Sequence, residues 1–331
     1  MTRLTSSPPA PADGSILVLA SINLDVSHHV SALPRPGETV LAASRTQGLG
    51  GKGANQAVAA ARLGAHVIAL GAVGDDTMGT HLRDRLTSAG VETSLVVDIA
   101  GAESGRAEVI IDDTGENSIV VHPGANPGLT PAVLADLLDT ASKKKVRPAL
   151  GLTQGESLTT TIDAFAEHLE QQHIRFVLNL APVVPVTEAT LSRADPLILN
   201  ESEAHRLVAD LELPHGDSID SIGAALLTTA RSVVVTLGAR GAMAFTDEET
   251  WLQPAPTPES VSDTTGAGDA FVGALCAALA RGAALRSAVL EGAVVGSIAV
   301  SGHGTTASYP DDRERDQVLH AFAPPRPEGS A

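Results

Sequence analysis

The chain has 331 residues, 43% of them hydrophobic, enough to bury one large core or two smaller ones. Its formal charge of −17 repels phosphate backbones, and Lys143 to Lys145 is the one basic cluster, which argues against a nucleic-acid partner. The single cysteine, Cys276, excludes an intramolecular disulfide and fits a reducing, cytoplasmic setting, while the apolar run ending before Arg281 falls short of the ~20 residues that span a bilayer.

Residues 1–13 are rich in Pro and Ser and read as a disordered leader, 324–331 as a disordered tail, and 14–323 as one domain. From Ser15 onward, β-branched runs alternate with alanine- and leucine-rich helical patterns. "SILVLASI", "HVIALGAV", "FVLNLAP", "PLILN" and "SVVVTLG" are predicted strands; "GANQAVAAARLGA", "TMGTHLRDRLTSAG" and "TTIDAFAEHLEQQH" are predicted helices. The alternation predicts an α/β three-layer sandwich with a mostly parallel central sheet. About 23–47 and 103–122 break the pattern with half-polar, hairpin-like strands, the second turning at "DDTGEN", and predict a small β-sheet lid over a site.

Three glycine-rich stretches carry the chemistry. Gly48, Gly50 and Gly53 form a G-x-G-x-x-G pattern with Asp75 about 20 residues onward, as in dinucleotide-binding folds. The preceding "AASRTQ" is too polar for a buried first strand, and Lys52 is followed by Gly53, not by the Ser or Thr of a Walker A loop. What remains is a close-approach backbone with Lys52 and Asn55 at a helix start, suited to a polyhydroxylated ligand. "TLGARG" (236–241) reads either as a phosphate-facing turn or as a tight hairpin into "AMAF". In "SDTTGAGDAF", Thr265 is a possible helix cap, and Gly266, Ala267 and Gly268 open a helix whose N–H groups suit a phosphoryl group in transfer. Asp269 stands next to this anion hole, where a carboxylate can take the proton of an attacking hydroxyl.

Taken with "SINLD", "PRPGETV", "GDD", "GENSIVVHPGAN" and "NESEA" in order from about Ile16 to Pro310, these motifs resemble the ribokinase-like (PfkB) carbohydrate kinase family. The resemblance implies ATP-dependent phosphorylation of a sugar, D-ribose at O5, in a homodimer joined through lid strands. It implies sugar contacts from Asn23, Asp25, Gly51, Lys52, Asn55 and Glu156, with Asp269 as general base. Asn200, Thr236, Gly238, Gly241 and Gly268 would line the nucleotide site, and Asn200 and Glu203 would organise Mg²⁺ through water. Asp263, Thr265, Ala299, Gly302, Gly304 and Ser308 would surround a monovalent cation, K⁺. Gly302 and His303 stand where the family commonly has basic residues, Leu180 replaces a proline, and Arg106 occupies a lid position where a small residue is usual, which bears on the sugar accepted. The alternatives are a kinase of the same fold for another pentose, deoxyribose, hexose or nucleoside, and a non-catalytic sugar-binding regulator.

Overall fold

The structure is a computed structural model that describes residues 14–322; both expected terminal tails, 1–13 and 324–331, lie outside those residues. Its strands are β1 (Ile16–Ala20), β2 (Asn23–His29), β3 (Ser44–Gly50), β4 (Val67–Gly74), β5 (Val91–Ile99), β6 (Gly105–Ile111), β7 (Asn117–His122), β8 (Leu150–Gln154), β9 (Arg175–Asn179), β10 (Ala194–Asn200), β11 (Val233–Thr236), β12 (Ala242–Phe245) and β13 (Thr250–Gln253). Its helices are α1 (Lys52–Arg62), α2 (Thr77–Ser88), α3 (Pro131–Lys143), α4 (Thr159–Gln171), α5 (Glu188–Arg193), α6 (Glu201–Asp210), α7 (Ile219–Leu227), α8 (Ala267–Ala280), α9 (Leu285–Ala299) and α10 (Asp312–Phe322).

A nine-stranded sheet runs in the order β13-β12-β11-β10-β9-β8-β1-β4-β5. Its β11-to-β5 portion is parallel, and β12 and β13 add an antiparallel edge. Alternation along β1 shows why both faces are covered: Ile16, Val18 and Ala20 join a core with α1, α2, α8 and α9, whereas Leu17 and Leu19 join a second core with α3 to α7. Cys276 is buried within the first core, and burial pushes its thiol well above the ordinary range, so it acts as a small apolar filler.

The two segments that break the alternation form a separate four-stranded sheet, β3-β2-β6-β7. In it β2 pairs antiparallel with β3 and parallel with β6, and β6 turns back into β7 through Asp112, whose carboxylate accepts from the Thr114 and Glu116 amides. The polar "SRTQ" stretch is thus largely exposed strand in this smaller sheet, which explains why the glycine fingerprint after it does not mark a dinucleotide fold.

One contact sets the spacing between two helices that reach the site. A Cβ built on Gly273 of α8 would stand 2.5 Å from the Ala59 Cβ and 2.7 Å from the Gln56 carbonyl oxygen of α1, so only glycine permits this approach. The Gly273→Ala substitution is expected to lower the unfolding free energy by about 1–3 kcal/mol, read from urea denaturation midpoints.

Candidate active site

The chain reverses direction across the large sheet between β1 and β8, leaving a crevice at their carboxyl ends, where open α/β sheets bind ligands. Ser21, just past β1, donates from its hydroxyl to Glu156 Oε2 at 2.6 Å, and the same oxygen accepts from the Lys52 amide at 2.9 Å. The Gly53 amide donates to the Ser21 hydroxyl at 3.1 Å, so a seryl–glutamate clasp holds the start of α1. Gly51 enters that helix at φ 85°, and a Cβ there would meet the Ser21 carbonyl oxygen at 2.6 Å.

Asn23 and Asp25 lie on β2, where residues opposite in register share a face. Asp25 is level with Gly48 and Ala107, and its carboxylate fills the space that a Cβ on Gly50 would need, at 1.9 Å. Asn126 fixes Asn23 by donating to its Oδ1 at 2.9 Å. Burial, then the nearby Glu156 and Asp269 charges, push the Asp25 carboxyl up to about 7, against the opposing pull of Lys52. Arg106 is level with Leu24, on the face opposite Asp25, and its guanidinium pairs with Glu108 at 2.6 Å. The sequence expectation that Arg106 bears on sugar choice is therefore corrected: the two-residue period of the strand turns it away from the Asp25 face.

The opening stretch of α8 departs from one expectation. Thr265 does not cap the helix; Gly266 does, at φ 81°, and no side chain caps the first-turn amides. The Ala267 amide makes a 3.3 Å bond to the Thr264 carbonyl, and a Cβ on Gly268 would meet nothing within 4 Å. The Tyr309 hydroxyl braces this turn from behind, donating to the Gly266 carbonyl at 3.1 Å.

Asp269, only 8% exposed, accepts from Asn55 Nδ2 at 3.0 Å on one carboxylate oxygen and from Gln56 Nε2 at 2.8 Å on the other. It lines a cavity of about 120 Å³ together with Lys52, Asn179, Asn200, Glu203, Thr236, Gly266 and Gly268. Lys52 is held above the ordinary lysine range first by Asp269 and then, against burial, by Glu156, Glu203 and Asp25, so a positive charge faces a ring of acids. Asn55 Oδ1 is a buried acceptor without a partner among the described residues. Gln56, Gln154, Asn179 and Ser21 were not anticipated; a glutamine inside an alanine-rich helix is the signal that could have revealed the first.

Asn200 and Glu203 form a capping box on α6: Asn200 Oδ1 accepts from the Glu203 amide and Glu203 Oε2 from the Asn200 amide, each at 2.8 Å. Burial raises the Glu203 carboxyl, although the Asn200 amide and Lys52 pull it down. Thr236 ends β11 level with Asn200, and "GARG" makes a 3-10 turn into β12, so the hairpin reading of this stretch holds. Gly238 (φ 58°) and Gly241 (φ 96°) both need left-handed backbone there.

The six residues expected around a cation come from the segment before α8 and from the end of α9 and the segment after it. Asp263 joins them, accepting from the Thr265 amide at 2.9 Å and the Gly304 amide at 3.1 Å. Burial would raise its carboxyl, but the Thr265 hydroxyl and amide, the Gly304 amide and nearby His303 hold it low. Ala299 ends α9, where carbonyls lose helical partners; its oxygen receives only a 3.4 Å bond from the Gly302 amide, while the Ser308 hydroxyl donates to the Thr305 carbonyl. This oxygen-rich donor set fits a hard monovalent cation. No group of three or more His, Cys, Asp or Glu that could hold a metal ion exists among the described residues.

Residues 13–312 match the pfkB family carbohydrate kinases. The chain is 35% identical to a ribokinase of Bacillus subtilis over 92% of its own length and 99% of the relative's, and 30% identical to a deoxyribokinase of Salmonella typhi over 92% and 98%. Among solved structures it resembles an Arabidopsis thaliana ribokinase complexed with ribose and ATP (TM-score 0.83, 27% identity, 92% and 98% covered) and a Cryptococcus neoformans ribokinase in complex with ADP (TM-score 0.77, 31% identity, 92% and 98% covered). With its sheet, its small second sheet and its α8 turn in common order with those motifs, the chain belongs to the pfkB family of carbohydrate kinases, enzymes that move a phosphoryl group onto a sugar hydroxyl.

Proposed function

We propose that the protein transfers the γ-phosphoryl group of ATP to O5 of D-ribose, giving ribose 5-phosphate and ADP. The observation that carries this reading is the sharing of one cavity wall by Asp269, Lys52 and Gly268: a proton acceptor, a fixed positive charge and an open helix start. Asp25 accepts hydrogen bonds from a vicinal diol, Asn23 adds a further polar contact, and Gly51, Lys52, Asn55 and Glu156 complete the sugar pocket. The O5 hydroxyl gives its proton to Asp269 as the O5–P bond forms and the bond from the γ-phosphorus to the bridging oxygen breaks. The amides at Gly266 to Gly268 and the α8 dipole stabilise charge on the transferring group, aided by Lys52.

The nucleotide lies along Asn200, Thr236, Gly238 and Gly241. Magnesium, when bound, would supply charge neutralisation on the phosphates, and Asn200 and Glu203 would hold it through water. Asp263, Thr265, Ala299, Gly302, Gly304 and Ser308 would hold potassium beside the α8 turn. The four-stranded sheet acts as the lid, excluding water so that ATP is not hydrolysed. Its edge strand β7 exposes Ile119 (54%), Val120 (67%) and Val121 (53%), apolar surface that supports pairing with a second copy as a homodimer. No helix among the described residues is long and apolar enough to cross a membrane, and the buried lone cysteine suits a reducing cytoplasm.

Three outcomes test this reading. Asp269→Asn is expected to lower kcat at least about 100-fold while ATP affinity by calorimetry is retained; normal turnover would remove Asp269 as base. Because burial and neighbouring acids push the Asp25 carboxyl up to about 7 and the ionised carboxylate, with both oxygens accepting, binds the diol more strongly than the acid, the sugar KM should fall as pH rises through about 7 and level off above it. Asp25→Asn should weaken sugar binding and flatten that profile. In a coupled ADP-release assay over ribose, deoxyribose, hexoses and nucleosides, ribose should turn over best, and faster in potassium than in sodium. Best turnover on deoxyribose, the substrate named by the Salmonella relative, would reassign the sugar.

A further inference from the structure

We propose that Gln56 is a positioning residue that locks the plane of the Asp269 carboxylate through a chain of buried amides whose direction is set by one backbone carbonyl. The proposal rests on the reading of Asp269 as the base.

The chain begins at the Ile198 carbonyl on β10, which can only accept. Asn179 Nδ2 donates to it at 3.1 Å, which turns Asn179 Oδ1 toward α1. Gln56 Nε2 donates to that oxygen at 2.8 Å and, with its other hydrogen, to Asp269 Oδ1 at 2.8 Å. Gln154 Nε2 on β8 donates to Gln56 Oε1 at 2.8 Å. Every donor of the Gln56 amide is now used and its oxygen is occupied. A flipped amide would press its carbonyl against two oxygens and its N–H₂ against a donor, so a single orientation survives.

Gln56 is 0% exposed, Gln154 1% and Asn179 7%, so water does not compete for these bonds. The terminal torsion of an aspartate is soft and nearly two-fold. Two donors on two different oxygens, Asn55 on Oδ2 and Gln56 on Oδ1, remove that freedom. Both donors are neutral amides, so they fix the carboxylate without cancelling its charge. A carboxylate offers about four lone-pair directions, which leaves others for an incoming hydroxyl. Asn55 keeps an unpartnered oxygen, whereas each polar side-chain atom of Gln56 is bonded to Asn179, Asp269 or Gln154, so Gln56 acts on Asp269 and not on a ligand.

The test compares wild type, Gln56→Met, Asp269→Asn and the double variant by steady-state and single-turnover kinetics on the full chain with ATP and the best sugar. Gln56→Met is expected to reduce kcat by about 10- to 100-fold, with both KM values within about threefold of wild type. The double variant should be no slower than Asp269→Asn alone, since misplacing a group that is no longer a base costs nothing more. Wild-type kcat in Gln56→Met, or losses that multiply in the double variant, would overturn the positioning role while leaving Asp269 as base. Wild-type turnover in Asp269→Asn would overturn the base and the positioning role together. If Gln56→Met does not fold, Gln154→Met carries the test: it removes the donor on Gln56 Oε1, one of the three bonds that fix the amide, so kcat should fall, by less than in Gln56→Met, with KM preserved, and an unchanged kcat would overturn the proposal.

Discussion

The contact of α1 with α8 over Gly273 is the constraint on which the site depends. A helix start projects amides and a carboxylate outward, but it cannot decide where they point relative to another element. Because Gly273 lets α8 lie against Ala59 and the Gln56 carbonyl, Asp269, one turn earlier, comes within 3.0 Å of Asn55 and 2.8 Å of Gln56. The first turn of α1 is in turn fixed to the sheet by Ser21 and Glu156. The position of one carboxylate therefore follows from backbone packing through two helices to the ends of β1 and β8.

Electrostatics give this geometry its direction. A protein of formal charge −17 would repel a nucleotide if its charge were evenly spread. Around the cavity, Asp269, Glu156, Glu203 and Asp25 instead strengthen the hold of Lys52 on its proton, and α8 presents the positive end of its dipole. Among these acids, burial and the neighbouring charges of Glu156 and Asp269 push the Asp25 carboxyl up to about 7.

Much of the architecture was legible in the chain. The alternation of "ILVLA"-type runs with alanine-rich stretches fixed the order of strand and helix because both periods are strong there. The polarity of "SRTQ" was enough to set aside a dinucleotide fold, and the hairpin at "DDTGEN" followed from its turn residues. The face of Arg106 was not legible, because it depends on strand register, which a one-residue shift reverses. The role of Gln56 is not legible in the sequence because it lies in partners about a hundred residues or more away, Gln154, Asn179 and Asp269. The Asn200–Glu203 capping box could have been read from its spacing alone.

A crystal structure with D-ribose and a non-hydrolysable ATP analogue tests the central claim most directly, because it places the acceptor hydroxyl relative to both partners at once. The account predicts O5 within about 2.6–3.2 Å of an Asp269 oxygen, with the terminal phosphoryl group of the analogue facing the amides at the start of α8. A sugar bound with every hydroxyl out of reach of Asp269, or a phosphoryl group seated away from that turn, would contradict it.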